Sequence, residues 1–182
     1  MATNPEFIIY TGPMWGGKTR NLINAIDRME FQNRDVLSVK PRLDHRYADE
    51  SIVAHTGDMQ RAISVSRGQE IIEKAQGFDV VAVDEAFMVD GAATALVSLF
   101  KAGKTILVAS LQLSAHGKSF SEIQSMLPWA TRIEICPAVC SKCDKDAFYT
   151  TAKVEGLSNI DIGGAEKYEP RCHEHMTFFE VA

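Results

Sequence analysis

The sequence lacks the features that mark several large classes of protein. No stretch approaches the roughly 20 consecutive apolar residues that a membrane-spanning helix needs. The first residues, Met1–Phe7, have neither the basic start nor the apolar run of a secretory signal peptide. Positive charge is not in excess, because 24 Asp and Glu residues outnumber 19 Lys and Arg residues. We therefore expect a cytoplasmic protein that has neither a membrane nor a nucleic acid as its partner.

Cysteine is also scarce, and the four cysteines all follow residue 135. In a reducing compartment such a group favours metal binding over disulfide bonds. Cys140-x-x-Cys143 and Cys172-x-x-His175 are two ligand pairs, which together can form a closed tetrahedral site for structural Zn²⁺. We interpret the remaining cysteine, Cys136, as a free thiol or a core residue.

The first two-thirds of the chain alternates apolar strands with helical patterns. Strands are predicted at Phe7–Tyr10, Val36–Val39, Val80–Val83, Thr105–Leu111 and Arg132–Cys136. Helices are predicted from Thr19, from a cap at Ser66 to about Gln76, from Ala92 to near Gly103, and from a Ser119/Glu122 capping box to Pro128. This alternation indicates an α/β domain with a mostly parallel sheet over residues 1–136. A small metal-binding subdomain is predicted over residues 137–182, where Cys, Lys, Asp and Gly become frequent.

The segment GPMWGGKT at residues 12–19 satisfies the phosphate-loop pattern G-x-x-x-x-G-K-[ST]. It lies where that pattern must lie, between a predicted buried strand and an amphipathic helix. Backbone N–H groups and the helix N-terminus would face the phosphates of ATP, Lys18 would neutralise them, and Thr19 would bind Mg²⁺. The cofactor-binding residues predicted in this segment are Gly12, Met14, Gly16, Gly17, Lys18 and Thr19.

A pair of acidic residues follows the predicted strand Val80–Val83. Asp84 is placed to hold Mg²⁺, directly or through water, and Glu85 to take a proton from an attacking hydroxyl group. Glu85 alone does not separate a kinase from an ATPase, because a hydrolase can use the same residue to orient water.

A long loop must hang from the predicted zinc site, since 28 residues separate Cys143 from Cys172. It contains the sequence IGGAEKY at residues 162–168, which combines a flexible glycine pair with an aromatic residue. A metal-anchored loop near a phosphate site could close over a small substrate and exclude water.

These motifs, in this order, resemble those of the type II thymidine kinases. Residues 12–19 are similar to the family's GPM-[FY]-[SA]-GK-[ST] segment, and Lys40–Tyr47 is similar to KP-x-x-D-x-RY. Asp84–Ala86 matches the start of DE-[AG]-QF. Tyr149–Thr150, residues 162–168 and the two zinc-ligand pairs follow in the family's order, so the resemblance covers nearly the whole chain.

The resemblance implies a RecA-like α/β core, a zinc subdomain and a lasso loop that holds a nucleoside largely through backbone contacts. It implies ATP-dependent phosphorylation of a deoxynucleoside 5′-hydroxyl, most simply that of thymidine or deoxyuridine. Glu85 is then the catalytic base, Asp84 supports the metal, and the protein is a homotetramer. The implied nucleoside pocket consists of Met14, Phe87, Met88, Leu111, Ala115, Thr150, Ile162, Gly163 and Tyr168.

The sequence departs from the family where the base is held. Phe87-Met88 stands where the family has Gln-Phe, and residues 111–116 read LQLSAH where it has L-D-x-[DT]-F-[RQ]. Met88 and Ala115 thus replace two aromatic residues, and stacking on an aromatic is worth roughly 1–3 kcal/mol per base. The acidic or amide residue usual after His55 is also missing.

Three explanations of these departures stay open. Phe87 could replace a lost ring, the pocket could be enlarged near Ala115 for a bulky 5-substituent on deoxyuridine, or nucleoside binding could be lost. A rival of another class is a zinc-ribbon, RecA-like DNA-dependent ATPase, against which the acidic composition argues. A non-catalytic nucleotide-binding protein would have no need of Lys18, Thr19, Asp84 and Glu85 together.

Overall fold

The computed structural model describes residues 4–44, 51–54 and 57–176. The end of the KPRLDHRY segment, residues 45–47, lies outside the described residues, and so do His55 and Thr56. Within the described part of the chain, no helix is long and apolar enough to cross a bilayer.

The chain is a mixed α/β structure, as the alternating patterns predicted. Its strands are β1 (Phe7–Thr11), β2 (Val36–Pro41), β3 (Ser51–Val53), β4 (Met59–Arg61), β5 (Ile63–Val65), β6 (Val80–Asp84), β7 (Thr105–Ser110), β8 (Arg132–Ile135), β9 (Ala138–Val139), β10 (Asp146–Ala147), β11 (Tyr149–Ala152) and β12 (Tyr168–Arg171). Its α-helices are α1 (Lys18–Phe31), α2 (Gly68–Lys74), α3 (Ala92–Lys101) and α4 (Ser121–Met126), and short 3₁₀ turns cover Ala86–Met88, Leu127–Trp129 and His173–His175.

Six strands form the central sheet in the order β5-β2-β6-β7-β1-β8. Every pairing in it is parallel. Helices cover both faces, which is why the central strands are apolar without interruption. Along β6, Val81 and Val83 belong to the core completed by α2, α3 and α4. Val80 and Ala82 belong to the opposite core, beneath α1.

Parallel strands bring their carboxyl ends to one edge of the sheet, and three of these ends are neighbours. β7 pairs with both β1 and β6, with Ser110 opposite Thr11 and Ala109 opposite Asp84. The phosphate-loop segment after β1, the acidic pair at the end of β6 and the connection after β7 therefore meet at this edge. In open parallel sheets, ligands bind at such an edge.

Two predicted helix caps are wrong, although the helices themselves are present. α2 begins one residue after Arg67, and the Glu70 carboxylate accepts the backbone N–H groups of Ser66 at 2.9 Å and Arg67 at 3.1 Å. The Gly68 N–H, which an N-cap Ser66 would accept, instead donates to the Asp90 carbonyl at 2.8 Å.

The Ser119/Glu122 capping box is likewise absent, because Glu122 caps a different helix. Its two carboxylate oxygens accept the backbone N–H groups of Gly91 at 3.0 Å and Ala93 at 2.6 Å, at the start of α3. α4 is therefore tied to α3 by a carboxylate at a helix N-terminus, where negative charge is favourable. At the other end of α3, Gly103 has the positive φ of 91° expected of a C-terminal glycine.

After the central sheet, the chain forms two small antiparallel ribbons. β9 pairs with β10, and β11 pairs with β12. The connection between β11 and β12, residues 153–167, is the lasso loop. It is anchored at its base, where the Lys153 N–H donates to the Lys167 carbonyl at 2.7 Å.

Candidate functional site

The phosphate-loop segment packs tightly against the chain that follows β8. A Cβ atom added to Gly12 or Gly16 would lie 2.3 or 2.2 Å from the carbonyl oxygen of Cys136. Real Cβ atoms do not approach backbone oxygens so closely, so both positions require glycine. The loop is therefore shaped by its contact with this neighbouring backbone.

The loop ends at a lysine whose ammonium group is buried against the backbone of the loop itself. Gly17 has φ 79°, and α1 begins at the next residue, Lys18. Lys18 is only 6% exposed, and its ammonium donates to the Pro13 carbonyl at 2.6 Å. A helix N-terminus beside a lysine ammonium attracts anions, and these residues fit the phosphates of a nucleotide.

Oxygen ligands for a hard cation lie next to this lysine. The Thr19 hydroxyl donates to Asp84 Oδ1 at 3.1 Å, which brings the start of α1 to the end of β6. Burial, and next the negative charge of Glu85, raises the pKa of Asp84 to about 7, although the bond from Thr19 lowers it. A carboxylate and a hydroxyl at this point fit Mg²⁺, which binds oxygen ligands together with substrate phosphates.

The backbone at Glu85 is held in an unfavourable conformation. Its φ of 48° and ψ of 45° lie in the left-handed region, which costs a non-glycine residue about 1–3 kcal/mol. The Ala86–Met88 turn follows directly, and the Phe87 N–H donates to Ser110 Oγ at 3.2 Å. Such strain is typical of functional positions, because the surrounding structure must maintain it.

A pocket of about 440 Å³, part of it open to solvent, lies beside the acidic pair. Glu85 lines it, and so do all nine residues predicted for the nucleoside site: Met14, Phe87, Met88, Leu111, Ala115, Thr150, Ile162, Gly163 and Tyr168. The structure thus brings together residues from the phosphate loop, the turn after β6, the connection after β7, β11 and the lasso loop. Their roles in binding remain predictions.

The sequence reasoning missed five residues that also line the pocket. They are Ser114, Phe120, Asn159, Ile160 and Asp161. Phe120 packs on Phe87 with ring centroids 4.4 Å apart and planes 34° from each other. An aromatic pair therefore forms part of the pocket lining, which the departures at Met88 and Ala115 did not suggest. The position of Phe120 in the sequence could have indicated its place in the lining. It ends the same connection after β7 that contains Leu111 and Ala115, which were already assigned to the pocket.

The connection after β7 folds back on itself and contacts the lasso loop. Leu113 and Ser119 form an antiparallel bridge, and the Ser114 hydroxyl accepts N–H groups from His116 and Lys118 at 3.3 and 3.2 Å. His116 Nε2 lies 3.1 Å from the carbonyl oxygen of Leu157 in the lasso loop. The two loops are thus joined above the sheet edge.

The four predicted zinc ligands form one cluster. The ligand atoms of Cys140, Cys143, Cys172 and His175 all lie within 4.8 Å of one another. Cys143 Sγ is 3.7 Å from Cys172 Sγ and 3.5 Å from His175 Nδ1. Tetrahedral Zn²⁺ with Zn–S bonds of about 2.3 Å sets sulfur atoms roughly 3.8 Å apart, so the cluster fits this ion.

The thiol chemistry also suits a metal at this cluster. Burial opposes ionisation of Cys140, but hydrogen bonds from the backbone N–H groups of Cys172, Lys142 and Cys143 together lower its pKa to about 6. Thiolate is the form that binds zinc. Cys136 lies outside the cluster and is buried, with its sulfur 3.4 Å from Asn21 Nδ2, as a core cysteine would be.

The phosphate loop contacts the zinc cluster through one aromatic residue. Trp15, which has φ 63°, packs against the small core formed by Ala138, Cys140, Ala147 and Cys172. The shape of the loop and the position of the cysteine cluster are therefore linked by direct packing.

Comparison with protein families gives a match over these same residues. The family model described as thymidine kinase matches residues 6–176. That range contains the phosphate loop, the acidic pair, the pocket lining and the cysteine cluster.

Proposed function

The chain belongs to the thymidine kinase family and is a nucleoside kinase, and we propose that it transfers the γ-phosphoryl group of ATP to the 5′-hydroxyl of thymidine or deoxyuridine. The observation that carries this proposal is the position of Glu85. It lines the pocket and directly follows Asp84, which is bonded to Thr19 of the phosphate loop. A single carboxylate thus lies between a phosphate site and a pocket suited to an organic substrate.

On the donor side, the residues of the phosphate loop hold ATP. Gly12, Gly16 and Gly17 shape the backbone, and the Lys18 ammonium moves from the Pro13 carbonyl to the terminal phosphates. Thr19 and Asp84 would hold Mg²⁺, and the ion would supply positive charge that neutralises those phosphates. Met14 belongs to both sites, because it is part of the loop and also lines the pocket.

On the acceptor side, Glu85 is the general base. It takes the proton of the 5′-hydroxyl as that oxygen forms a bond to the γ-phosphorus. The bond between this phosphorus and the bridging oxygen breaks, and ADP leaves. Catalysis then consists mainly of positioning and charge neutralisation, as is usual for phosphoryl transfer.

The nucleobase of the substrate lies against the pocket lining contributed by Phe87, whose ring packs on that of Phe120. This arrangement favours the explanation in which Phe87 replaces a missing ring and ordinary thymidine is accepted. The alternative substrate is a deoxyuridine with a bulky 5-substituent. It is favoured by one observation, the small side chain of Ala115 in the pocket lining beside the flexible Met88.

We further propose a domain boundary between residues 136 and 137, so that residues 137–182 form the zinc and lasso subdomain. Cys140, Cys143, Cys172 and His175 would hold structural Zn²⁺, and their crosslink through the ion would fix the base of the lasso loop. The protein works as a homotetramer in the cytoplasm and supplies deoxynucleoside monophosphates for DNA synthesis by salvage; light scattering of the purified protein measures the assembly.

The test is incubation with Mg·ATP and a panel of nucleosides, followed by chromatography. The panel holds thymidine, deoxyuridine, deoxycytidine, purine deoxynucleosides and deoxyuridines with bulky 5-substituents. Strong formation of thymidine monophosphate supports the first proposal, and preference for a bulky 5-substituent supports the alternative. ATP hydrolysis stimulated by single-stranded DNA, without any nucleoside product, would overturn both in favour of a DNA-dependent ATPase.

A further inference from the structure

The lasso loop contains an internal ion pair that closes it on itself. The Lys167 ammonium donates to Asp161 Oδ1 and to the Ile162 carbonyl, both at 2.7 Å. The two side chains are about one-third exposed, at 32% and 30%. Lys167 is the last residue of the loop and directly precedes β12. This contact therefore holds residues 161 and 162, in the tip of the loop, close to that strand.

Gly163 lies in close contact with the side chain of this lysine. A Cβ atom on Gly163 would lie 2.5 Å from Lys167 Cδ and 3.0 Å from its Cγ. The alkyl chain of Lys167 therefore passes directly over the Gly163 backbone. Gly163 has no side chain to hinder this approach, and a larger residue here would require the Lys167 side chain to shift.

Further hydrogen bonds hold the tip of the loop, residues 161–164. The Tyr168 hydroxyl donates to the Asp161 carbonyl at 2.7 Å. The backbone N–H groups of Lys167 and Tyr168 both donate to the Gly164 carbonyl at 3.0 Å. Residues 161–164 are thus held from one side by Lys167 and Tyr168.

Three residues of this tip also line the pocket. Asp161, Ile162 and Gly163 line it together with Tyr168, whereas Lys167 is not part of the lining. Lys167 therefore acts on the pocket through the residues that it holds. Charge-assisted hydrogen bonds are stronger than neutral ones, and a wall ordered in advance spares the ligand the cost of ordering it.

We propose that Lys167 is a positioning residue that preorganises residues 161–163 as a wall of the nucleoside pocket. This inference rests on the proposed nucleoside kinase function. It assigns Lys167 to nucleoside affinity and leaves the phosphoryl-transfer step to the residues at the sheet edge.

Three substitutions test whether the charge of Lys167 matters, rather than the size of its side chain or the presence of any lysine in the loop. Lys167→Met keeps the alkyl chain and removes the ammonium, and Lys167→Arg keeps a cation. Lys153→Met is the matched control, because Lys153 also donates within the loop, at 2.8 Å, but to the carbonyl of Ala165, which does not line the pocket.

Steady-state kinetics and hydrogen–deuterium exchange give independent results. In Lys167→Met we expect the KM for the nucleoside to rise about tenfold, with kcat and the KM for ATP unchanged. Lys167→Arg should recover part of the loss, and Lys153→Met should behave as wild type. In the free protein, exchange at the hydrogen-bonded amides of Gly164, Lys167 and Tyr168 should quicken in Lys167→Met alone, at unchanged zinc content.

Equal effects of Lys153→Met and Lys167→Met, or a fall in kcat without a change in KM, would overturn the proposal. If Lys167→Met fails to fold, Asp161→Asn removes the same ion pair from its other side and takes the same readouts. Failure of the wild type to phosphorylate any nucleoside would count against the proposed function only. The exchange experiment needs no substrate, and unchanged exchange at the amides of Gly164, Lys167 and Tyr168 would still overturn the role of Lys167.

Discussion

The backbone N–H of Met14 donates to the hydroxyl oxygen of Thr150 at 3.0 Å, across 136 positions of sequence. Met14 belongs to the phosphate loop, Thr150 lies in β11 next to the lasso loop, and both line the pocket. The bond is buried. A donor of the phosphate loop is therefore satisfied by a side chain from the part of the chain that contains the cysteine cluster, which ties these two regions together.

Thr150→Val should separate this hydrogen bond from the packing of the side chain. Valine fills nearly the same space but leaves the buried Met14 N–H unsatisfied, at a cost of about 1–3 kcal/mol. We expect a lower melting temperature and a KM for the nucleoside raised about tenfold, measured by calorimetry and steady-state kinetics. Thr150→Ser keeps the acceptor and should remain close to wild type. A valine variant close to wild type, with the loss confined to the serine variant, would show that the methyl group, rather than the bond, matters.

Glu85→Gln should abolish proton transfer while it preserves the shape of the site. A general base contributes about 10²–10⁴-fold, so we expect kcat to fall by that factor. ATP affinity, measured by calorimetric titration, should stay within a factor of a few. Glu73→Gln changes an exposed carboxylate on α2 and serves as the control. Turnover near that of wild type in Glu85→Gln would remove this residue from the mechanism.

Cys143→Ser should release the metal and loosen the lasso loop. The Cys143 sulfur lies within 3.7 Å of two other ligand atoms, and a hydroxyl is a poor replacement for it. We expect at least about a 100-fold loss in zinc affinity, measured by competition with a chelator. The KM for the nucleoside should rise before ATP affinity suffers.

Cys136→Ser is the matched control for the metal measurement, because Cys136 lies outside the cluster and the protein should keep its zinc. Full zinc content in Cys143→Ser would show that the ligands are wrongly assigned.

Asp84→Asn should stabilise the ligand-free protein in magnesium-free buffer. Burial and the charge of Glu85 raise the pKa of Asp84 from 3.8 to about 7, so the folded state retains a proton that the unfolded chain releases. Wild-type stability therefore falls as pH rises through this window and levels off above pH 7. At pH 8 we expect the variant to melt about 5 °C higher than wild type.

The difference between the two proteins should shrink as pH falls from 7 to 5.5, because Asp84 then becomes neutral in the folded wild type as well. Scanning calorimetry at several pH values measures it, with the exposed Asp27→Asn on α1 as the control. A variant less stable than wild type at pH 8 would contradict the electrostatic account. The variant should also lose Mg²⁺-dependent ATP binding.

Sequence patterns were informative wherever local chemistry decides the structure. The run Val80–Val83 predicted β6 to within one residue, because a strand covered on both faces has apolar side chains throughout. The spacing of Cys140, Cys143, Cys172 and His175 predicted the cluster. Each x-x spaced pair lies in one short turn and can supply two donors to the same ion, so local spacing is nearly sufficient.

The same patterns could not find contacts that depend on how separate elements pack. Glu122 has the spacing of a capping box, yet it binds the N-terminus of α3, because α4 packs beside that helix. Phe120 and Asp161 reach the pocket only after their loops fold back, through the Leu113–Ser119 bridge and the bonds of Lys167. No helix or strand pattern in the sequence encodes these contacts.

The contact of Gly12 and Gly16 with the Cys136 carbonyl bears on how relatives of this chain should be interpreted. Both glycines are imposed by a neighbouring backbone, whether or not a nucleotide is ever bound. A descendant that had abandoned phosphoryl transfer would still be under selection to keep them. Among diverged homologues, the glycines therefore report inheritance of the fold, whereas retention of Lys18, Thr19 and Glu85 reports inheritance of the chemistry.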